Sequence, residues 1–137
     1  MNIADHILAN EVLREVKALL PTPCLQSELE IQTAKGLAKY PNLVNVDDYN
    51  VPGWIKHNVQ ELIDSTVYYK ATIKRIMKDY DVKNRSVHER VIALLEKGIR
   101  QNVEQLQVLE MLKNHYTEEQ PNEPHSIDEQ NAISSTT

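Results

Sequence analysis

Two long runs of apolar residues at helical spacing, residues 53–80 and 86–115, limit what this chain can fold into more than any other feature. In the first run the apolar positions alternate between spacings of four and three residues, which is typical of a helix that packs against a partner helix. Residues 81–85 alone separate the runs, and so short a connection makes two helices antiparallel neighbours. The pattern therefore predicts an all-α fold built on a long antiparallel helical hairpin.

Both runs carry more apolar residues than one partner helix can cover. Beside its main row, each run has additional apolar positions on an adjacent part of the helix surface. These positions are Ile63, Val67, Ala71, Met77, Leu94, Val108 and Met111. Removing apolar surface from water contributes about 25 cal/mol per Å², so we expect copies of the chain to cover one another. Two unlike faces favour a ring over a dimer.

The predicted oligomer interface draws on both apolar runs. Its expected residues are Val59, Leu62, Ile63, Val67, Ile73, Ile76, Ile92, Leu95, Ile99, Val103, Leu106 and Leu109. An alternative remains open, in which the N-terminal helices fold back onto the hairpin and the chain is a three- or four-helix monomer.

The remaining residues flank this core and differ from it in composition. We predict an N-terminal helical arm over residues 1–40, a linker over 41–52, the helical-hairpin oligomerisation core over 53–116 and a disordered acidic tail over 117–137. The tail is assigned as disordered because it is rich in Glu, Gln, Pro, Asn, Ser and Thr and has too few apolar residues to offset its ordering entropy.

Helix boundaries in the arm follow from periodicity and capping patterns. Apolar spacing predicts one helix over residues 3–20, which Pro21 ends. Ser27 and Glu30 form a capping-box pattern that opens a weaker helix to about Lys39.

The hairpin helices carry similar signals at their starts. Asn50 is the expected cap of the first helix, with Pro52 in its first turn, where the missing N–H costs nothing. Ser86 and Glu89 form a second capping-box pattern, which predicts the start of the second helix.

The sequence offers no constellation of residues for catalysis, and we predict no catalytic residue, no cofactor and no metal site. Cys24 is the single cysteine, and no His or base lies near it along the chain. The histidines are scattered, no Glu-x-x-His pair occurs, and no Gly-Lys-Ser/Thr phosphate-binding loop exists. For these reasons we expect a protein that is not an enzyme. No secretory signal or run of 18 apolar residues is present, so we expect it in the cytoplasm.

Charge is unevenly distributed along the chain. Residues 53–116 carry a net charge of +3, between flanks of −3 over residues 1–52 and −5 over residues 117–137. Part of the basic charge recurs every four residues on one helix face and gathers near the hairpin turn. The candidate DNA-binding residues are Lys70, Lys74, Arg75, Lys78, Lys83, Arg85 and Arg90. Such a group could contact phosphates without reading base sequence, although a solvated lysine face is the alternative explanation.

The layout of residues 47–113 resembles the small terminase subunit of T-even-type tailed bacteriophages. The resemblance begins with the acidic segment Asp47-Asp48-Tyr49 and a long helix that contains residues 58–64 (Asn-Val-Gln-Glu-Leu-Ile-Asp). It continues through an Arg-containing turn and second helix over residues 85–91 (Arg-Ser-Val-His-Glu-Arg-Val), and through Asn102 to Lys113. This chain has Asn84 where the family commonly has a proline before the arginine, and residues 1–40 match no part of that layout.

The resemblance implies a ring of helical hairpins that helps to select viral double-stranded DNA. It also implies that the chain stimulates the ATPase of the large terminase subunit and restrains its nuclease, in the cytoplasm of an infected host cell. Flanking segments of that family contact the motor, which implies the same for the acidic tail and the N-terminal helices. Two other classes remain open. One is a coiled-coil adaptor or antitoxin-type interaction protein, and the other is a DNA-binding regulator that uses residues 1–39 as a helix-turn-helix.

Overall fold

A computed structural model describes residues 2–119, with side chains to Tyr116, and this part of the chain is helical throughout except for its connections. The predicted all-α class is therefore confirmed for the described residues. Five α-helices follow in order: α1 (Ile3–Ala9), α2 (Glu11–Leu19), α3 (Pro23–Lys39), α4 (Val51–Lys78) and α5 (Arg85–Glu119). The chain divides into two compact units with a boundary between Tyr49 and Asn50.

The first unit contains a helix break that the sequence pattern did not reveal. Asn10 has an extended backbone (φ −100°, ψ 119°) and separates α1 from α2, so the prediction of one helix over residues 3–20 is wrong. Its side-chain oxygen accepts the N–H of Leu13 and caps α2, while its amide donates to the carbonyl of Val44 at 2.8 Å. A short amide side chain that competes for backbone groups favours a cap over a helix interior.

Helix α3 begins four residues before the predicted start. The Thr22 hydroxyl accepts the N–H of Leu25 at 3.2 Å, and Pro23 occupies the first turn. Ser27 therefore lies inside the helix, and the predicted capping box is wrong. Glu30 instead pairs with Lys17 of α2 at 3.3 Å. A proline directly after a threonine is itself a signal for a helix start, because proline's missing N–H has no helical partner there.

The core of the first unit is small. Ile7 of α1 is fully buried, and α1 packs against both α2 and α3. The segment predicted as an extended linker contains a 3₁₀ turn at Val46–Asp48, which Asn45 caps. Tyr49, directly after this turn, is also buried.

The second unit consists of α4 and α5. As predicted, the Asn50 side chain caps α4 by accepting the N–H of Gly53 at 2.9 Å, and Pro52 lies in the first turn. A 3₁₀ turn at Val82–Asn84 precedes α5, which begins at Arg85. The predicted Ser86 cap is wrong, since Ser86 lies inside α5, and Glu89 accepts a bond from Arg85 Nε at 3.0 Å. The predicted tail over residues 117–137 lies outside the described residues, apart from α5 continuing to Glu119.

Two contacts fix how α4 and α5 pack. Gly98 of α5 lies against the ring of Tyr69. Further along, the Asn102 amide donates to Ser65 Oγ at 3.1 Å and to Thr66 Oγ1 at 3.2 Å. Residue numbers rise on one helix as they fall on the other, so these contacts have an antiparallel register.

The close approach at Gly98 leads to a prediction that uses Gly36 of α3 as a matched site. Nothing lies within 4 Å of a methyl group added at Gly36, whereas one added at Gly98 would lie 3.0 Å from Tyr69 Cζ. We expect Gly36→Ala to raise the free energy of unfolding by about 0.5–1 kcal/mol. We expect Gly98→Ala to be at least about 1 kcal/mol worse than this, because the ring must move. If urea unfolding shows the same gain in the free energy of unfolding for both variants, the close contact between Gly98 and Tyr69 is contradicted.

Candidate functional site

Helix α4 has one covered row of apolar residues and one open row. In the main row, whose apolar positions alternate between spacings of four and three residues, Ile55 and Ile73 are each only 5% exposed. Beside it, Ile63, Val67 and Met77 are 48%, 57% and 55% exposed. We call these three residues the α4 apolar face. The second row inferred from the sequence therefore remains accessible after α4 has packed against α5.

Helix α5 repeats this arrangement. Leu94 and Met111 are 69% and 72% exposed, and Val108 is also exposed. Leu94 and Val108 are two heptads apart and so lie on the same side of the helix. We call Leu94, Val108 and Met111 the α5 apolar face. An uncovered row of large apolar residues on each of two adjacent helices is the kind of surface that binds another protein.

The residues proposed from the sequence as an oligomer interface fall into two groups. Three are exposed, and these are Ile63, Val67 and Val103. Nine are buried or half-buried, and these are Val59, Leu62, Ile73, Ile76, Ile92, Leu95, Ile99, Leu106 and Leu109. The exposed group is available to a partner, together with Leu94, Val108 and Met111.

An open groove with a volume of about 340 Å³ lies on the side of α4 opposite the α4 apolar face. Its walls come from one side of α4 and from Leu95 of α5. The lining residues are Glu61, Asp64, Ser65, Tyr68, Tyr69, Thr72 and Leu95. Sequence reasoning missed this groove, because it depends on how α5 packs beside α4. The available signal was two carboxylates and two tyrosines on neighbouring turns of one helix.

The groove contains two acidic side chains, Glu61 and Asp64, that repel each other when both are ionised. Partial burial raises the pKa of Glu61 above its ordinary value of 4.5, and the neighbouring Asp64 carboxylate raises it further. Both causes act against the ionised form of Glu61. A positive charge placed in the groove would relieve this repulsion.

The raised pKa of Glu61 predicts a pH-dependent effect of Glu61→Gln. Because the folded state holds this proton more tightly than the unfolded state does, the ionised carboxylate costs stability that appears as the pH rises through the folded-state pKa. We expect the variant to be more stable than the parent at pH 7, and this advantage to vanish below the unfolded-state pKa. Urea unfolding between pH 3 and pH 7 measures the stability difference between the variant and the parent. A difference that does not change with pH would contradict a raised pKa of Glu61.

The candidate DNA-binding residues are all exposed, but they differ in their partners. Arg75 Nε bonds to Asp79 at 2.8 Å, and Arg85 Nε bonds to Glu89 at 3.0 Å. The bond to Glu89 is the main cause that raises the pKa of Arg85. These two cations therefore already have acidic partners.

Four lysines and Arg90 form the rest of the basic surface. Lys70, Lys74 and Lys78 recur one turn apart on α4, and all three are exposed. We call them the lysine row. Lys83 and Arg90 are exposed as well, in the connecting turn and in the second turn of α5.

The turn itself includes an aromatic contact. The rings of Tyr80 and His88 meet edge to face, with centroids 5.8 Å apart. Nδ1 of His88 is buried and has no protein hydrogen-bond partner. This contact connects the end of α4 to the first turn of α5 beside the basic residues.

Residues 2–119 hold neither a cluster of metal ligands nor a helix suited to cross a membrane. No three His, Cys, Asp or Glu side chains come together among them in a way that could hold a metal ion. None of the helices in this part of the chain has the length and apolar character that a membrane crossing requires. No protein-family model matches the chain, and no curated protein or solved structure does either.

Proposed function

We propose that this chain is a non-enzymatic assembly subunit of the small terminase type, which forms a ring of helical hairpins and contacts double-stranded DNA. The observation that carries the proposal is the pair of open apolar faces on α4 and α5, next to an open lysine row. The resemblance of residues 47–113 to that family supplies the particular function.

Self-association is the first step of the proposal. The two apolar faces remain exposed after α4 and α5 have packed, so leaving them in water costs stability that a neighbour could recover. Every copy offers both faces at the same spacing. Any other copy of the chain can therefore serve as the partner.

Ring formation is the second step, and it depends on the two faces being different. A contact that joins the α4 face of one copy to another surface of the next leaves free surfaces at both ends, so it continues until it closes. Light scattering tests this directly. A particle of about eight or more subunits supports a ring, whereas a dimer or monomer would favour a coiled-coil adaptor instead.

DNA contact is the third step, and the lysine row is its expected site. We expect replacement of Lys70, Lys74 and Lys78 by glutamine to weaken retention of duplex DNA at low salt, whatever its sequence. Each lost phosphate contact should reduce the slope of log affinity against log salt by about 0.9. Filter binding over a range of salt concentrations measures both effects.

The matched control for this variant removes the same charge elsewhere. Lys35, Lys39 and Lys113 are also exposed but lie outside the lysine row. Their replacement by glutamine should leave the salt slope close to that of the parent. If both triple variants bind DNA as the parent does, the lysine row is a solvated surface.

Contact with a packaging motor is the last step. We propose that the ring stimulates ATP hydrolysis by a large terminase subunit and restrains its nuclease. Adding the purified chain to such a motor and measuring ATP turnover tests this step. Unchanged turnover at saturating chain would remove the motor from the proposal while leaving ring formation and DNA contact standing.

A further inference from the structure

We propose that the groove beside Glu61 and Asp64 is the socket of the subunit contact, and that it receives Leu94 of a neighbouring copy with Arg90 and Lys97 on either side. This inference rests on the proposed self-assembly and names a contact in addition to that of the α4 apolar face. It makes the contact one between unlike surfaces, α4 of one copy against α5 of the next.

The shape of the groove fits one helix ridge. Its α4 wall extends from Glu61 to Thr72, a span of about 16 Å at 1.5 Å per residue. Tyr68, which is 62% exposed, and Leu95 provide apolar surface on its walls. A single large aliphatic side chain with one turn of helix on either side, about 11 Å in all, fits within this length.

The charge of the groove calls for a cationic occupant. Among the described residues that line it, Glu61 and Asp64 are acidic and none is basic. Partial burial and the repulsion from Asp64 already raise the pKa of Glu61. An apolar occupant without positive charge would bury these carboxylates further and leave them uncompensated.

The chain carries the complementary ridge on α5. Leu94 is among the most exposed large apolar residues of that helix. Arg90 lies four residues before it and Lys97 three residues after it, so both flank Leu94 on one face. Both are exposed. The ridge therefore has an apolar centre and two positive ends, which span about 10 Å.

Groove and ridge belong to the same unit, so every copy has one of each. In the proposed assembly each pair of neighbouring copies makes one groove–ridge contact, so each bound copy still offers a free groove or a free ridge. This explains why association would continue to a closed ring instead of ending at a dimer. It also assigns Arg90 to the subunit contact and leaves the lysine row for DNA.

Charge reversal on each side, alone and combined, tests the contact. We expect Asp64→Lys and Lys97→Glu each to weaken the affinity between copies about tenfold or more, because each places like charges opposite one another. The double variant should recover most of the loss, since the charges are opposite again. Sedimentation velocity over a range of protein concentrations measures all three.

Lys113→Glu provides the matched control, because it makes the same change in net charge at an exposed position about 100° around α5 from Leu94. It should assemble like the parent. Circular dichroism confirms that each variant is folded before its mass is compared.

The outcomes separate the two proposals. If the parent assembles and neither single reversal weakens it, or if the double variant recovers nothing, the groove is not the socket, while the ring itself still stands. If the parent is a monomer at all concentrations, both the ring and the socket are overturned.

Discussion

Replacing Ile73 by alanine is expected to lower the free energy of unfolding by about 2–5 kcal/mol, as is usual for a large aliphatic residue truncated in a core. Ile73 is only 5% exposed and lies in the covered row of α4. The second unit has few fully covered residues, so the cavity cannot be offset by a large surrounding core. Urea unfolding followed by circular dichroism measures the loss.

Ile63→Ala is the control for Ile73→Ala, because it makes the same truncation on the same helix. Ile63 is 48% exposed, so the expected change in a dilute, unassembled sample is within about 0.5 kcal/mol. Equal losses at the two positions would mean that the covered and open rows of α4 have been assigned to the wrong sides.

Val67→Asp is expected to abolish assembly while leaving the fold intact, which is the second large effect. Val67 is 57% exposed in the centre of the α4 apolar face. A carboxylate there does not disturb the α4–α5 contact, but burying it in an interface would remove its hydration at a large cost, even with Lys70 three residues away. Sedimentation velocity should show only the single chain at concentrations where the parent assembles.

Gln32→Asp serves as its control, since it adds a carboxylate to an exposed position of α3, in the other unit. This variant should retain the assembly of the parent. If Val67→Asp instead forms particles of unchanged mass, the α4 apolar face is not where copies meet.

The heptad pattern predicted the helices of the second unit well but not the roles of their rows. Spacing placed Ile73 and Val67 on neighbouring stripes of one helix, and both were assigned to the oligomer interface. Which stripe faces α5 and which faces outward depends on how the two helices rotate against each other. That rotation is a property of their packing and leaves no trace in the spacing of either helix alone.

Boundaries in the first unit show a second limit of sequence reasoning. The apolar period continues through Asn10 without a change, so periodicity could not reveal the break between α1 and α2. The break depends on the bond from Asn10 to the carbonyl of Val44, a residue far along the chain. By contrast, the Asn50 cap depends on its own neighbours, and the sequence was sufficient to predict it.

The candidate site could be predicted only in part from the sequence, for the same reason. Exposure of Lys70, Lys74 and Lys78 follows from their charge and their recurrence on one helix face. The groove beside Glu61 needs Leu95 from another helix to close its wall. A surface built by two elements cannot be predicted from the residues of one.

The amide of Asn102, bonded to Ser65 and Thr66, has a mechanical consequence for any assembly. If α5 slid by one turn along α4, the amide would lose both acceptors inside an apolar seam, so a single alignment of the two rods is preferred over its neighbours. A single alignment of α4 and α5 also fixes the distance along the helices between the groove and the ridge of each copy. In any assembly of such copies, the curvature and hence the number of subunits would then depend in part on one hydrogen-bonded asparagine.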